Sequence, residues 1–128
     1  MFYCIACILY TKMGYDVELM IDDNLEERLY LSYNHCAKFK EFGIYPRDLN
    51  GKNAKDIIDL FNEATNELET NKDKYDLSDD PLESINEGYT KYTRDIMYED
   101  TYGVFYRALM TALKILKSVN ENAIWKSD

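Results

Sequence analysis

Four residues carry the metal-type spacing in this chain: Cys4-x-x-Cys7 and the adjacent pair His35-Cys36. Three thiolates and one imidazole suit a tetrahedral Cys₃His zinc site, of which a CxxC loop is the usual half. The other half fits poorly, because neighbours on a strand point to opposite faces, so His35 and Cys36 could share an ion only in a turn or at a helix start. Ordinary buried or surface thiols are the favoured reading. An odd count of three cysteines makes no disulfide framework, and a redox CxxC needs a helix N-terminus after a strand, whereas this one lies in an apolar, strand-like run. His35 is the only histidine, so His₃ and HExxH zinc sites are excluded and any Ser-His-Asp or Cys-His device would have to use it. Cys36 stands beside it, but adjacency in sequence does not make nucleophile–base geometry. GxGxxG and GxxxxGK[ST] phosphate cradles are missing from the sequence. Asp16, Glu18 and Asp22 share a face of one strand, as polar residues on any wet strand face do, so they carry no two-metal reading. The expectation is a protein that is not an enzyme, with no catalytic residue, no cofactor and no metal.

Charge gives two further candidates. Residues 28–55 hold six cations against two carboxylates and contain the only His. Loops held by a scaffold often carry function, so Asn34, His35, Arg47 and Lys52 form a candidate site for a small ligand or nucleotide. Against this, Arg47 and Asp48 suit the pinning of a turn, and Asn34 the capping of the helix that follows. Residues 76–100 hold eight carboxylates against two cations, interleaved with tyrosines. Tyr offers contact area at low entropic cost, so Glu83, Glu87, Tyr89, Tyr92, Asp95, Tyr98, Glu99 and Asp100 form a candidate surface for a protein partner. Such a surface can compete for a groove built to hold phosphates; the plainer reading is a solvated face that keeps a small protein dispersed.

The elements that must position these residues follow from periodicity. Tyr15, Val17, Leu19 and Ile21 alternate with Asp16, Glu18 and Asp22, and Leu29, Leu31 and Tyr33 alternate with Arg28, Ser32 and Asn34. Joined at Asp22-Asp23-Asn24, they predict an antiparallel hairpin. Residues 35–42 predict a short helix stopped by Gly43, and 44–52 an ordered loop with Pro46 and the Asn50-Gly51 turn. Asn53 caps a helix striped by Ala54, Ile57, Ile58, Phe61 and Leu68 that ends near Asn71. Asp80-Pro81 opens another, striped by Leu82, Ile85, Tyr89, Tyr92 and Ile96. A last helix runs from Tyr102 to fade at Asn120, and Ala123-Ile-Trp125 resembles a final strand that joins the hairpin. The fold class is therefore α+β: a small antiparallel sheet, from the N-terminal hairpin and the C-terminal strand, packed on three to four helices.

The chain of 128 residues has the usual size of one domain, so residues 1–128 are read as a single unit. Its 46% hydrophobic and 30% charged residues exclude wholesale disorder. A net charge of −9 argues against direct nucleic-acid binding and against an anionic membrane surface. The apolar run Met1 to Tyr10 is too short to span a bilayer and lacks the basic flank of a secretory signal. The expected setting is the cytoplasm; a second reading takes residues 1–12 as an extension ahead of Met13, where the first well-patterned segment begins.

From Met13 onward, Tyr15 to Leu19, Leu31-Ser-Tyr-Asn34, Phe39 with Gly43-Ile44, Leu49-Asn-Gly-Lys52, the Ala54 to Leu68 helix and the Tyr102 to Asn120 helix resemble a group of small uncharacterised bacteriophage proteins. The likeness spans most of residues 13–125 through short motifs. It departs where Asp100-Thr-Tyr-Gly103 replaces a Gly-Trp-Gly-like element and where 76–100 adds an acidic, Tyr-rich insertion. The group has no assigned activity. The resemblance implies a phage origin; with the small size, the acidity and the absence of catalytic motifs, the expectation is a phage accessory protein with a host or phage protein as partner, such as a nucleic-acid-handling defence complex inhibited in the manner of an anti-CRISPR. A homodimer is left open.

Overall fold

The computed structural model describes residues 14–77 and 101–128. The first strand, β1 (Gly14–Ile21), buries Tyr15, Val17 and Leu19 and turns Asp16, Glu18 and Met20 outward, as period-2 alternation requires. It pairs antiparallel with β2 (Asn24–Ser32) across the two-residue turn Asp22-Asp23, where Asp22 takes a left-handed backbone, φ 53°. Aspartate tolerates that conformation better than most residues. The register slips at Leu19/Met20, so that Glu26 has no residue opposite it; this is a β-bulge.

At the end of β2 the chain tightens into a 3₁₀ turn, Tyr33–His35, capped by the Ser32 hydroxyl, which accepts from the Asn34 amide at 3.1 Å. The short helix α1 (Cys36–Glu41) follows and is ended by Gly43 at φ 72°. The expected helix over 35–42 is present at 36–41, behind the 3₁₀ turn; Ser32 caps that turn, and α1 itself starts at His35 without a side-chain cap. A second 3₁₀ turn, Pro46–Leu49, occupies the expected loop. The long helix α2 (Ala54–Thr70) begins where Asn53 Oδ1 accepts from the Asp56 amide at 2.9 Å. A single helical turn that the sequence reading lacks, α3 (Lys72–Tyr75), closes on Asp76 at φ 59°. In α4 (Tyr102–Ser118), Thr101 Oγ1 accepts from the Val104 amide at 3.1 Å. The expected helix from Pro81 lies outside the described residues.

The final strand, β3 (Ile124–Ser127), pairs antiparallel with β1, giving the order β2-β1-β3. The expected strand at 123–125 runs two residues further. Its outer edge is closed by the loop ahead of α2: the Gly51 amide donates to Trp125 O at 3.0 Å and the Trp125 amide to Lys52 O at 2.9 Å. The opposite edge, β2, is blunted by its bulge and by exposed Glu26, Glu27 and Arg28, features that discourage recruitment of a further strand. Helices α1, α2 and α4 pack on the sheet's inner face through one continuous core from Tyr15, Val17 and Leu19 to Phe39, Ile57, Phe61, Phe105, Leu109 and Trp125. The α+β class with an N-terminal hairpin and a C-terminal strand is the architecture observed. No helix among the described residues is long and apolar enough to cross a membrane.

Gly14 is needed by this packing. A Cβ there would run into the Leu31 carbonyl oxygen and lie 2.7 Å from the Tyr30 ring. Gly14→Ala is expected to cost about 1–3 kcal/mol through this overpacking, read as a lower urea midpoint with an unchanged slope. A loss below about 0.5 kcal/mol would show that the Leu31 backbone and Tyr30 both give way, against the packing described.

Candidate functional site

The residues with chemical potential are brought to two places: His35 enters the core, while Cys36 and Arg47 both meet Tyr15. His35 closes the 3₁₀ turn and is fully buried. Its ring meets Phe39 edge-on at 6.2 Å and Phe105 at 5.7 Å, and those two phenyl rings meet each other at 5.3 Å. His35 continues the inward phase of Leu29 and Leu31, and the turn that follows β2 sets it in the core between α1 and α4. A general base must come within hydrogen-bond reach of the group it serves, and the imidazole is fully buried.

Cys36, next in sequence, starts α1 and is half-buried. It meets the Tyr15 hydroxyl, which also bonds with Tyr45. Burial above all, then these two hydrogen bonds, hold the Tyr15 hydroxyl far above its ordinary ionisation range. Cys4 and Cys7 lie outside the described residues, and among the described ones no group of three His, Cys, Asp or Glu side chains is placed to hold a metal ion.

Tyr15 carries a pH consequence. Its folded pKa is raised, so its contribution is fully present below about pH 10 and is lost as pH rises beyond that, where the unfolded chain's Tyr15 ionises first. Tyr15→Phe should therefore weaken the protein at neutral pH by about 0.5–1.5 kcal/mol through lost hydrogen bonds. It should also flatten the alkaline fall in stability by up to about 1.4 kcal/mol per pH unit. Parallel alkaline curves for the two proteins would contradict the assignment.

Arg47 is exposed in the second 3₁₀ turn and acts as a clamp. Its Nε donates to Asp128 O at 2.8 Å, and its two terminal nitrogens reach Tyr45 and Tyr33 hydroxyls at 3.5 Å. The guanidinium lies over the Tyr15 ring, 5.4 Å from its centroid, a cation–π arrangement. The neighbouring tyrosine oxygens and Asp128 raise its pKa against a lowering from burial. Asp128 in turn bonds β1, its Oδ1 accepting from the Asp16 amide at 3.0 Å. Arg47 thus ties the end of β3 to the hairpin, a long-range contact in place of the local turn-pinning expected of it. Asn34 stands exposed beside Tyr33, and Lys52 is exposed in the loop that pairs with Trp125. Of the four candidate ligand residues, three are at the surface and His35 is in the core.

The eight candidate partner-binding residues from Glu83 to Asp100 lie outside the described residues. The described surface adds an acidic feature that sequence reasoning did not single out. Asp56, Asp59, Glu63 and Glu67 are all exposed on α2. Spacings of three, four and four place them on one stripe about 16 Å long. Glu67 is held at one end, accepting from Asn71 Nδ2 at 3.1 Å and from the Tyr75 hydroxyl at 3.2 Å. The signal was in the sequence as that spacing. The sheet's outer face is different in character, a shallow depression of about 640 Å³ where Asp16, Glu18, Arg28, Tyr30, Lys126 and Asp128 mix both signs. Its Arg28–Glu18 pair, 3.5 Å apart and exposed, contributes little stability. Comparison with protein-family models, with curated proteins and with solved structures finds no match for this chain.

Proposed function

We propose that this chain is a phage-type accessory protein of the host cytoplasm that binds a protein partner and inhibits a bacterial defence system, as an anti-CRISPR does, through an acidic, Tyr-rich surface. The observation that carries the reading is the fate of His35: the one imidazole available for acid–base or nucleophilic chemistry is sealed among Phe39 and Phe105. What remains to act is the outside of the molecule, whose described residues carry an acidic stripe on α2 in addition to the acidic sequence of 76–100. A net charge of −9 favours a partner with a basic groove, such as one that handles nucleic acid, because complementary fields speed encounter and exclude wrong partners.

The test is plating efficiency of a targeted phage on hosts that carry defined defence systems, with and without this protein. Efficiency should rise with one system and not with the others, and the purified protein should bind a component of that system in a salt-sensitive way. No change with any nucleic-acid-guided system tested, and no binding to their purified complexes, would overturn the reading.

A further inference from the structure

Asn50-Gly51 is the one Asn-Gly dipeptide in the chain, and the fold treats it as a latch. Asn50 Nδ2 donates to Ser127 O at 3.1 Å while its Oδ1 accepts from the Ser127 amide at 2.5 Å. One side chain thereby imitates a strand and extends the pairing of β3 past the Gly51 and Lys52 backbone bonds to Trp125. The same dipeptide is chemically labile. Glycine has no side chain to hinder its nitrogen, so Gly51 N can attack Asn50 Cγ. A Cγ–N bond forms, the Cγ–Nδ2 bond breaks, and Nδ2 leaves as ammonia carrying the proton from Gly51 N. Water then opens the five-membered imide to aspartate or isoaspartate.

We propose that Asn50-Gly51 is a conformationally guarded deamidation site whose modification releases the C-terminal strand from the 50–53 loop. Three features guard it. The attacking nitrogen is occupied, donating to Trp125 O at 3.0 Å. The carboxamide is held on both atoms by Ser127. The Asn50 backbone is fixed at φ −54°, ψ 132°, an extended geometry that a closed five-membered imide cannot keep. The product undoes the latch with the same atoms. An aspartate has only acceptors, so one of its oxygens faces the Ser127 carbonyl with no proton between them. Isoaspartate lengthens the backbone by one carbon and moves Gly51 N and Lys52 O out of step with Trp125. This inference stands apart from the binding function and does not depend on it.

The experiment follows deamidation at Asn50 by peptide mass spectrometry during incubation at mildly alkaline pH, in native protein and in the same chain unfolded in urea. The native rate should be lower by about tenfold or more, since attack waits on local opening. Ser127→Pro, which deletes the amide that holds Oδ1, should recover much of the unfolded rate. In Asn50→Asp, hydrogen exchange at the Trp125 amide should quicken about tenfold, the effect of one lost hydrogen bond. Equal rates in native and unfolded wild-type chain would overturn the guard, and unchanged Trp125 exchange in Asn50→Asp would overturn the release. The native and unfolded comparison uses wild-type chain alone, so it decides the guard even if either variant fails to fold.

Discussion

Trp125→Ala is expected to destabilise the protein by about 3–5 kcal/mol, a large part of the roughly 5–15 kcal/mol that a domain of this kind has. Three losses combine. The indole is fully buried, so its removal leaves a cavity between the sheet and α2, where it meets Phe61 edge-on at 5.9 Å. Its Nε1 donates to Pro46 O at 2.9 Å, and that carbonyl is left buried without its donor. The side chain also sits opposite Leu19 on the central strand, so its loss loosens the strand that links β1 to the 50–53 loop. Trp125→Phe keeps most of the volume and loses the donor; its cost should be about 1–2 kcal/mol. Urea unfolding followed by far-UV circular dichroism measures both, because the single Trp is then no longer available as a fluorophore. A loss below about 1 kcal/mol for Trp125→Ala would mean that β3 does not close the core.

The fold was legible where burial has a simple period. Tyr15, Val17 and Leu19 alternate with wet residues on β1, and the stripe from Ala54 to Leu68 behind the Asn53 cap reads directly as α2. What the sequence did not reveal depends on contacts between distant residues. The central place of β1 follows from β3 being held on its far side by Asn50, Gly51 and Lys52, a relation that no local pattern encodes. The Arg47 clamp joins residues 81 positions apart. His35 shows the limit most clearly. Its type and its basic neighbourhood mark it for chemistry, but its odd place after Leu29 and Leu31 already points it inward, and the distant Phe105 ring that helps enclose it is invisible to any local pattern. The acidic stripe on α2 was legible and passed over, because each carboxylate alone looks like any solvated helix residue.

The second large effect concerns function. Asp59→Asn, Glu63→Gln and Glu67→Gln together remove three exposed charges from α2, and exposed pairs with a basic partner are individually weak. Their joint loss should still lower partner affinity about tenfold. Neutralising Glu83, Glu87, Asp95, Glu99 and Asp100 should weaken it further and lessen its salt dependence, with the fold left intact by circular dichroism. His35→Phe and Cys36→Ser should bind as the wild type does wherever they fold, because neither residue reaches the partner in this account.

The most direct measurement is therefore phage plating on the susceptible defended host, comparing the two charge-neutralised proteins with His35→Phe and Cys36→Ser. Protection that falls with the carboxylates and survives loss of the imidazole and thiol is the result this account requires. Protection that survives loss of the carboxylates and disappears, in a folded protein, with His35 or Cys36 would contradict it.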